Sequence, residues 1–378
     1  MAPKHWEQPP AVVGFGLVFV FSNEHVSTIL NINLLYRASH IKYKTNPLKM
    51  KYLIEASRLQ VGDIVLVTWD DPKSEKIRRL ANSEFSHAMV YVGGHSFIHS
   101  SLNGVEASNC QRILLDGPGS AAVYRCERAT QDQIDRIVEF ARSRIGMEYS
   151  LSEAKQSVRA NPGPTKEGNR EFCTRFAARA LEAAAIAIVN NPDYCTPKDL
   201  EETPLLKRIE GCIREASPEE SKFGDEESPI LNRQQTVINS ILAQARQVTE
   251  IDIQTISQME QHLEDHPEYD AEFDRIVKES GYLDLWKYDL EKNPYYYSIV
   301  EFEKTVPDNL KAEVARFLAR LASEMETRFS TELLAFSSAR AAGGLKYFAT
   351  IYKLNRRLVS LQRQRSETAY TAMQRYGS

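Results

Sequence analysis

The residues with the clearest capacity for chemistry are two histidines and a cysteine. His87 and His99 close the ends of Ser86-His-Ala-Met-Val-Tyr-Val-Gly-Gly-His-Ser-Phe-Ile-His99, a pattern of β-favouring residues around Gly93-Gly94 that predicts a hairpin. With a three-residue loop over Gly93–His95, Met89 stands opposite His99 and His87 opposite Ser101. That register makes the two histidines diagonal neighbours on one face, roughly 7–8 Å apart between backbones, within reach for two imidazoles. A slip of one residue would send them to opposite faces. Cys173 stands where the breaker-rich stretch 159–169 gives way to an alanine-rich segment of high helix propensity, Glu171–Ala185. The free N–H groups and dipole of a helix N-terminus stabilise a thiolate, and a neighbouring imidazolium lowers a thiol pKa further. A cysteine nucleophile, a histidine base and a further polar group that orients the base are the parts needed for acyl transfer through a thioester.

Zinc is the competing chemistry, because His87, His95, His99 and Cys110 are all legitimate ligands. The expected geometry disfavours it: His95 falls in the hairpin turn, and Cys110 lies beyond a second turn at Asn103-Gly104. Cys110, Cys126, Cys195 and Cys212 show neither CxxC spacing nor a disulfide framework and read as structural thiols. Gly93-Gly94 is followed by no phosphate-binding pattern, and no cofactor motif is present. Arg175 and Arg179, one turn apart, read as the solvated face of the cysteine helix, or as an attractor for an anionic substrate.

The elements that must position these residues follow from the hydrophobic periods. Asp63–Thr68, Ala88–Val92, Phe97–His99 and Ala122–Tyr124 are short β-favouring runs separated by turn residues. Gln131–Ile145 changes to a helical period and ends near Gly146. The acidic, proline-containing stretch Glu201–Pro229 reads as a linker. Beyond it Leu231, Ile238, Ile241, Ala245 and Val248 share a helical face, as do Leu310, Val314, Phe317, Leu321 and Met325, and then Ile351, Leu354, Leu358 and Leu361. Thr305-Val-Pro-Asp308 reads as a capping box opening the second of these helices, and Gly343-Gly344 separates it from the last.

A length of 378 residues suggests two to three domains and excludes a peptide hormone or disulfide mini-scaffold. With 47 basic and 51 acidic residues the chain is no nucleic-acid polycation. The balance is uneven. Residues 201–229 hold nine acidic and four basic side chains, whereas 339–378 hold eight basic and one acidic. Lys346, Lys353, Arg356, Arg357, Arg363 and Arg365, interleaved with apolar residues, make the last helix basic and amphipathic. Such a helix suits an anionic membrane or a protein partner, or packs as an ordinary bundle helix with a charged outer face. Ala11–Phe21 is too short to span a bilayer and is a poor signal peptide. It reads as a buried or partner-bound strand, with an export signal or a natural start at Met50 as the other readings. The odd, unpaired cysteines favour the cytoplasm, or delivery into a cytosol.

Val61-Gly-Asp-Ile64, Ser86-His-Ala-Met-Val-Tyr-Val-Gly93, Phe97-Ile-His99, Gly146-Met-Glu-Tyr149 and Phe172-Cys-Thr-Arg-Phe176, with Thr196-Pro-Lys-Asp-Leu200 after them, resemble the successive motifs of the permuted papain-like cysteine hydrolases. This group includes the NlpC-like and YiiX-like hydrolases and the lecithin retinol acyltransferase-like enzymes. The resemblance covers about residues 56–202, and the order of His before Cys makes it specific. It implies His87 as base, His99 as the residue orienting it and Cys173 as nucleophile. The twelve-residue spacing from His87 ranks Glu106 and Asn109 below His99 as supporting groups. The Cys173-Thr-Arg175 run departs from the Asn-Cys-Glu-His run of the acyltransferases, which favours hydrolysis over transfer.

The expectation is therefore an α+β protein: an N-terminal extension at 1–49, a permuted papain-like domain of antiparallel sheet plus helices at 50–202, an acidic linker at 203–229 and an all-α accessory domain at 230–378. The expected substrate is a peptide, an isopeptide or an acyl lipid; no nucleic acid and no cofactor is expected. A catalytically silent binding protein is the rival function.

Overall fold

The computed structural model describes residues 50–159, 163, 166–226 and 228–377. Ala11–Phe21 lies outside them. Among the described residues two compact units divide between Asn239 and Ser240.

The first unit is built on strands β1 (Tyr52–Ile54), β2 (Ile64–Val67), β3 (His87–Tyr91), β4 (Ser96–Ser101), β5 (Gly104–Asn109), β6 (Ala121–Arg125), β7 (Lys207–Ile209) and β8 (Ile213–Glu215). Six of them form an antiparallel sheet in the order β5-β4-β3-β2-β6-β7, and β1 pairs with β8 separately. One face of the large sheet buries Val65, Val67, Met89, Tyr91, Phe97, Ala121 and Val123 in a single cluster, the alternate residues that a period of two puts on one side. The helices are α1 (Pro72–Ala81), α2 (Gln131–Ser143), α3 (Leu151–Gln156), α4 (Cys173–Ala183), α5 (Pro197–Glu202) and α6 (Pro218–Asp225), followed by α7 (Pro229–Thr249), in which the boundary between the units falls. Helix α2 opens on a Thr130/Gln133 capping box, and both α2 and α4 pack on β3 and β4.

The stretch 203–229 is not a linker. β7 extends the large sheet by pairing with β6, and β8 completes the small one with β1. Arg214 ties the segment down by donating to Glu55 at 2.8 Å and to Glu220 at 2.8 Å, and the Ala216 N–H donates to the Lys51 carbonyl at 2.9 Å. The acidic residues that suggested a solvated tether are partly neutralised by these contacts.

Among the described residues the second unit is helical: the end of α7, then α8 (Ile256–Asp265), α9 (Asp270–Ser280), α10 (Leu285–Lys292), α11 (Ile299–Thr305), α12 (Lys311–Gly343) and α13 (Lys346–Tyr376). Thr305 is the last residue of α11 and caps nothing. Pro307 starts a separate 3-10 turn over Asp308–Leu310, with no side-chain cap, before α12 begins. The apolar residues Ile351, Leu354, Leu358 and Leu361 of α13 are buried within the unit, where α13 packs on α9, α11 and α12. Arg365 is buried with them, donating to Asp289 at 2.8 Å, while Lys353, Arg356, Arg357 and Arg363 face solvent. Among the described residues no helix is long and apolar enough to cross a membrane.

Candidate active site

The hairpin that carries both histidines turns through Gly93, Gly94 and His95, all with positive φ (85°, 55° and 61°), a conformation glycine adopts without a Cβ clash. The Val92 N–H donates to the Ser96 carbonyl at 2.9 Å, closing the three-residue loop. Val90 pairs with Ile98 and Tyr91 with Phe97, and the next step along this register sets Met89 opposite His99. His87 and His99 share a face and touch: His87 Nε2 lies 3.0 Å from His99 Nδ1, with the rings nearly perpendicular at 87°.

The ladder between β3 and β4 stops at Val90↔Ile98, short of both histidines. Ala88, the next residue of β3 whose amide points towards β4, donates to the Cys173 thiol instead. The end of α4 therefore fills the place where the two strands part. Ser100, which the register would set opposite Ala88, keeps a buried hydroxyl with no hydrogen-bond partner among the described residues. Phe172 is extended (φ −133°, ψ 163°) and Cys173 is the first helical residue, 9% exposed, as the change from breakers to alanines predicts. The Cys173 and Thr174 amides, like that of Ala88, favour the thiolate, but burial outweighs them and pushes the thiol pKa up. Burial lowers the His99 pKa to about 4, and burial, His99 and the Lys73 charge hold His87 well below the ordinary imidazole range. At neutral pH the site thus rests as a thiol beside two uncharged imidazoles.

Three neighbours of this group carry no periodic signal in the sequence. Tyr149 forms an isolated parallel bridge with Glu171, two residues before the cysteine, which draws it towards Cys173. Burial raises its pKa, so the phenol stays protonated and can donate. Two residues before it, the Met147 carbonyl packs so closely on Gly104 (φ +101°) that an added Cβ there would lie 2.6 Å from the carbonyl oxygen. Trp69 sets its ring 5.9 Å from that of His87. Lys73, in the first turn of α1, places its charge near both His87 and Cys173.

The remaining residues singled out above stand elsewhere. Arg175 is not solvated. It is fully buried, pairs with the buried carboxylate of Glu153, donates to the carbonyls of Asp193 at 2.8 Å and Arg170 at 3.2 Å, and lies 4.7 Å over the Phe172 ring. Glu153 in turn accepts from the Lys166 and Glu167 amides at 2.6 and 3.1 Å, so this pair fastens the segment after α3 to the cysteine helix. Arg179 is likewise engaged, with Glu171 at 2.9 Å and Asp193 at 2.6 Å. The Asn109 carboxamide accepts from the Gln111 amide at 2.9 Å, capping a turn. Glu106 pairs across the strands with His99, but its carboxylate takes hydrogen bonds from Ser101 and Gln235. His95 Nδ1 lies 3.5 Å from Cys110 Sγ, and among the described residues no three His, Cys, Asp or Glu side chains form a metal-binding group.

A cysteine at the head of a helix, following in chain order the histidine strands of an antiparallel sheet, is the permuted form of the papain arrangement, and the chain carries a permuted papain-like domain. Residues 58–203 match the family described as permuted papain-like amidase enzymes, YaeF/YiiX, of the C92 family. Among solved structures the chain is similar to the metalloprotein yiiX from Escherichia coli O157:H7, at 13% identity and a TM-score of 0.28, over 43% of this chain and 99% of that one. No curated protein matches.

Proposed function

We propose that the first unit is a thiol-dependent hydrolase of amides or esters, with Cys173 as nucleophile, His87 as base and His99 as the residue that orients it. The observation that carries this reading is the 3.0 Å contact between His87 Nε2 and His99 Nδ1, on a strand whose next amide, that of Ala88, is hydrogen-bonded to the Cys173 thiol.

With His87 Nε2–H donated to His99, His87 Nδ1 is left to take the thiol proton as Cys173 Sγ attacks the substrate carbonyl. The Cys173 N–H and the Tyr149 hydroxyl supply donors to the oxyanion. As the tetrahedral intermediate collapses, the proton on His87 passes to the leaving amine or alcohol, and a thioester remains. Water, deprotonated by the same nitrogen, then attacks the thioester and frees the acid and the thiol. Peptides, isopeptides and acyl lipids all fit this reaction class.

The test uses p-nitrophenyl acetate. The account expects a burst approaching one p-nitrophenol per chain, absent in Cys173→Ser, followed by slower turnover. A catalytically silent protein would release p-nitrophenol at the same rate with or without the cysteine.

A further inference from the structure

Beside the cysteine and histidines lies a cation that the proposed reaction does not use. β2 ends at Val67, directly opposite His87, and the chain then passes through Trp69 into α1. Trp69 packs its ring 5.9 Å from the His87 ring and remains part-exposed. Asp71 caps α1, accepting from the Lys73 amide at 2.9 Å, the Ser74 amide at 3.0 Å and the Ser74 hydroxyl at 2.6 Å. That cap starts the helix beside the histidine strand and sets Lys73 in its first turn. The Lys73 side chain is exposed and forms no ion pair among the described residues; of the two carboxylates two residues away from it, Asp71 is committed to the cap and Glu75 is exposed. A lone exposed lysine elsewhere would be an ordinary surface group. Here its charge is felt by both the base and the nucleophile.

Resting on the cysteine-hydrolase reading, we propose that Lys73 and Trp69 form a subsite for a carboxylate on the substrate, so that the enzyme takes amides or esters with a carboxylate beside the scissile bond. The indole closes one side of the His87 ring, and the ammonium supplies the counter-charge at the rim. An ammonium is a flexible point charge with three donors, suited to a carboxylate whose position varies between substrates.

Two small alkylating agents test this on the full chain, since iodoacetate carries the carboxylate that iodoacetamide lacks. Each transfers its methylene carbon to the Cys173 sulfur and releases iodide, and the modified peptide is quantified by mass spectrometry. The ratio of the two rates cancels any change in thiol ionisation. It should be about five-fold higher in the wild type than in Lys73→Met, the effect of one unit charge at roughly 8 Å in a medium of dielectric ~40. It should fall further in Lys73→Glu, recover in Lys73→Arg and decline as salt is added. An equal ratio in the wild type, Lys73→Met and Lys73→Glu overturns the subsite. Succinate should protect Cys173 in the wild type and not in Lys73→Glu; protection by phosphatidylglycerol vesicles without protection by succinate would put a lipid phosphate there and overturn the carboxylate. Failure of the hydrolase reading shows differently, as iodoacetamide labelling that is slow and indifferent to His87→Ala.

Discussion

His87 and His99 meet through their ring nitrogens, Nε2 to Nδ1 at 3.0 Å, at the end of a hairpin where the backbone ladder has already stopped. Because both imidazoles are uncharged at neutral pH, only one shares the proton of this contact. Placing it on His87 Nε2 leaves Nδ1 free to accept; placing it on His99 would leave His87 with its proton on Nδ1 and no basic nitrogen for the thiol. In the proposed reaction His99 therefore selects the tautomer of His87.

That role predicts the pattern of substitution. His99→Ala should lower kcat/KM on the order of 10²-fold, mainly through kcat. In His99→Asn a carboxamide oxygen can stand where Nδ1 stood, and the loss should be several-fold smaller. Steady-state kinetics with an ester substrate would show it, and equal losses in the two variants would contradict it.

The depressed His99 pKa has a consequence for stability. Unfolding returns the ring to its ordinary pKa near 6.5, so between about 6.5 and 4 the unfolded chain binds the proton more readily than the folded one. The stability associated with neutral His99 is fully present above pH 6.5 and is lost as pH falls towards 4. A shift of that size corresponds to up to about 3 kcal/mol. Urea unfolding at pH 7 and pH 4.5 should show a smaller acid-induced loss in His99→Asn than in the wild type; an unchanged loss would mean that the ring is solvated.

Tyr149→Phe removes a hydroxyl and little else. If the phenol donates to the oxyanion, kcat should fall about 10–10²-fold with KM nearly constant. A rise in KM at constant kcat would move Tyr149 from the reacting atoms to substrate binding.

Breaking the buried pair behind the cysteine leaves a charge without its partner. Glu153→Met or Arg175→Met should each destabilise the first unit by about 3–5 kcal/mol, and the two together by clearly less than their sum. Thermal unfolding checks this, and melting temperatures unchanged in the single variants would mean that the pair is solvated in solution.

The meeting of the two histidines and the start of the cysteine helix were legible because each rests on local pattern. Two glycines and an alternating run set the hairpin register, and a change from breakers to alanines marked the start of the cysteine helix. What was not legible depends on contacts distant in sequence. Arg175 has the spacing of a solvated helix face, and only its pairing with Glu153, in another helix, shows it to be buried. β7 and β8 are three residues each, too short to display a period, and their acidic surroundings resemble a tether. Tyr149 and Trp69 stand outside regular elements, where spacing says nothing about neighbours.

The central claim is that His87 acts as the base for Cys173, and the most direct measurement is the rate of Cys173 alkylation by iodoacetamide against pH in the wild type and in His87→Ala. Burial holds the thiol protonated at neutral pH, so a thiol without a base should react slowly there. The account predicts that the wild type reacts at least about ten-fold faster than His87→Ala at pH 7, with the two rates converging as pH rises and the thiol ionises unaided. Equal rates at pH 7 would contradict it.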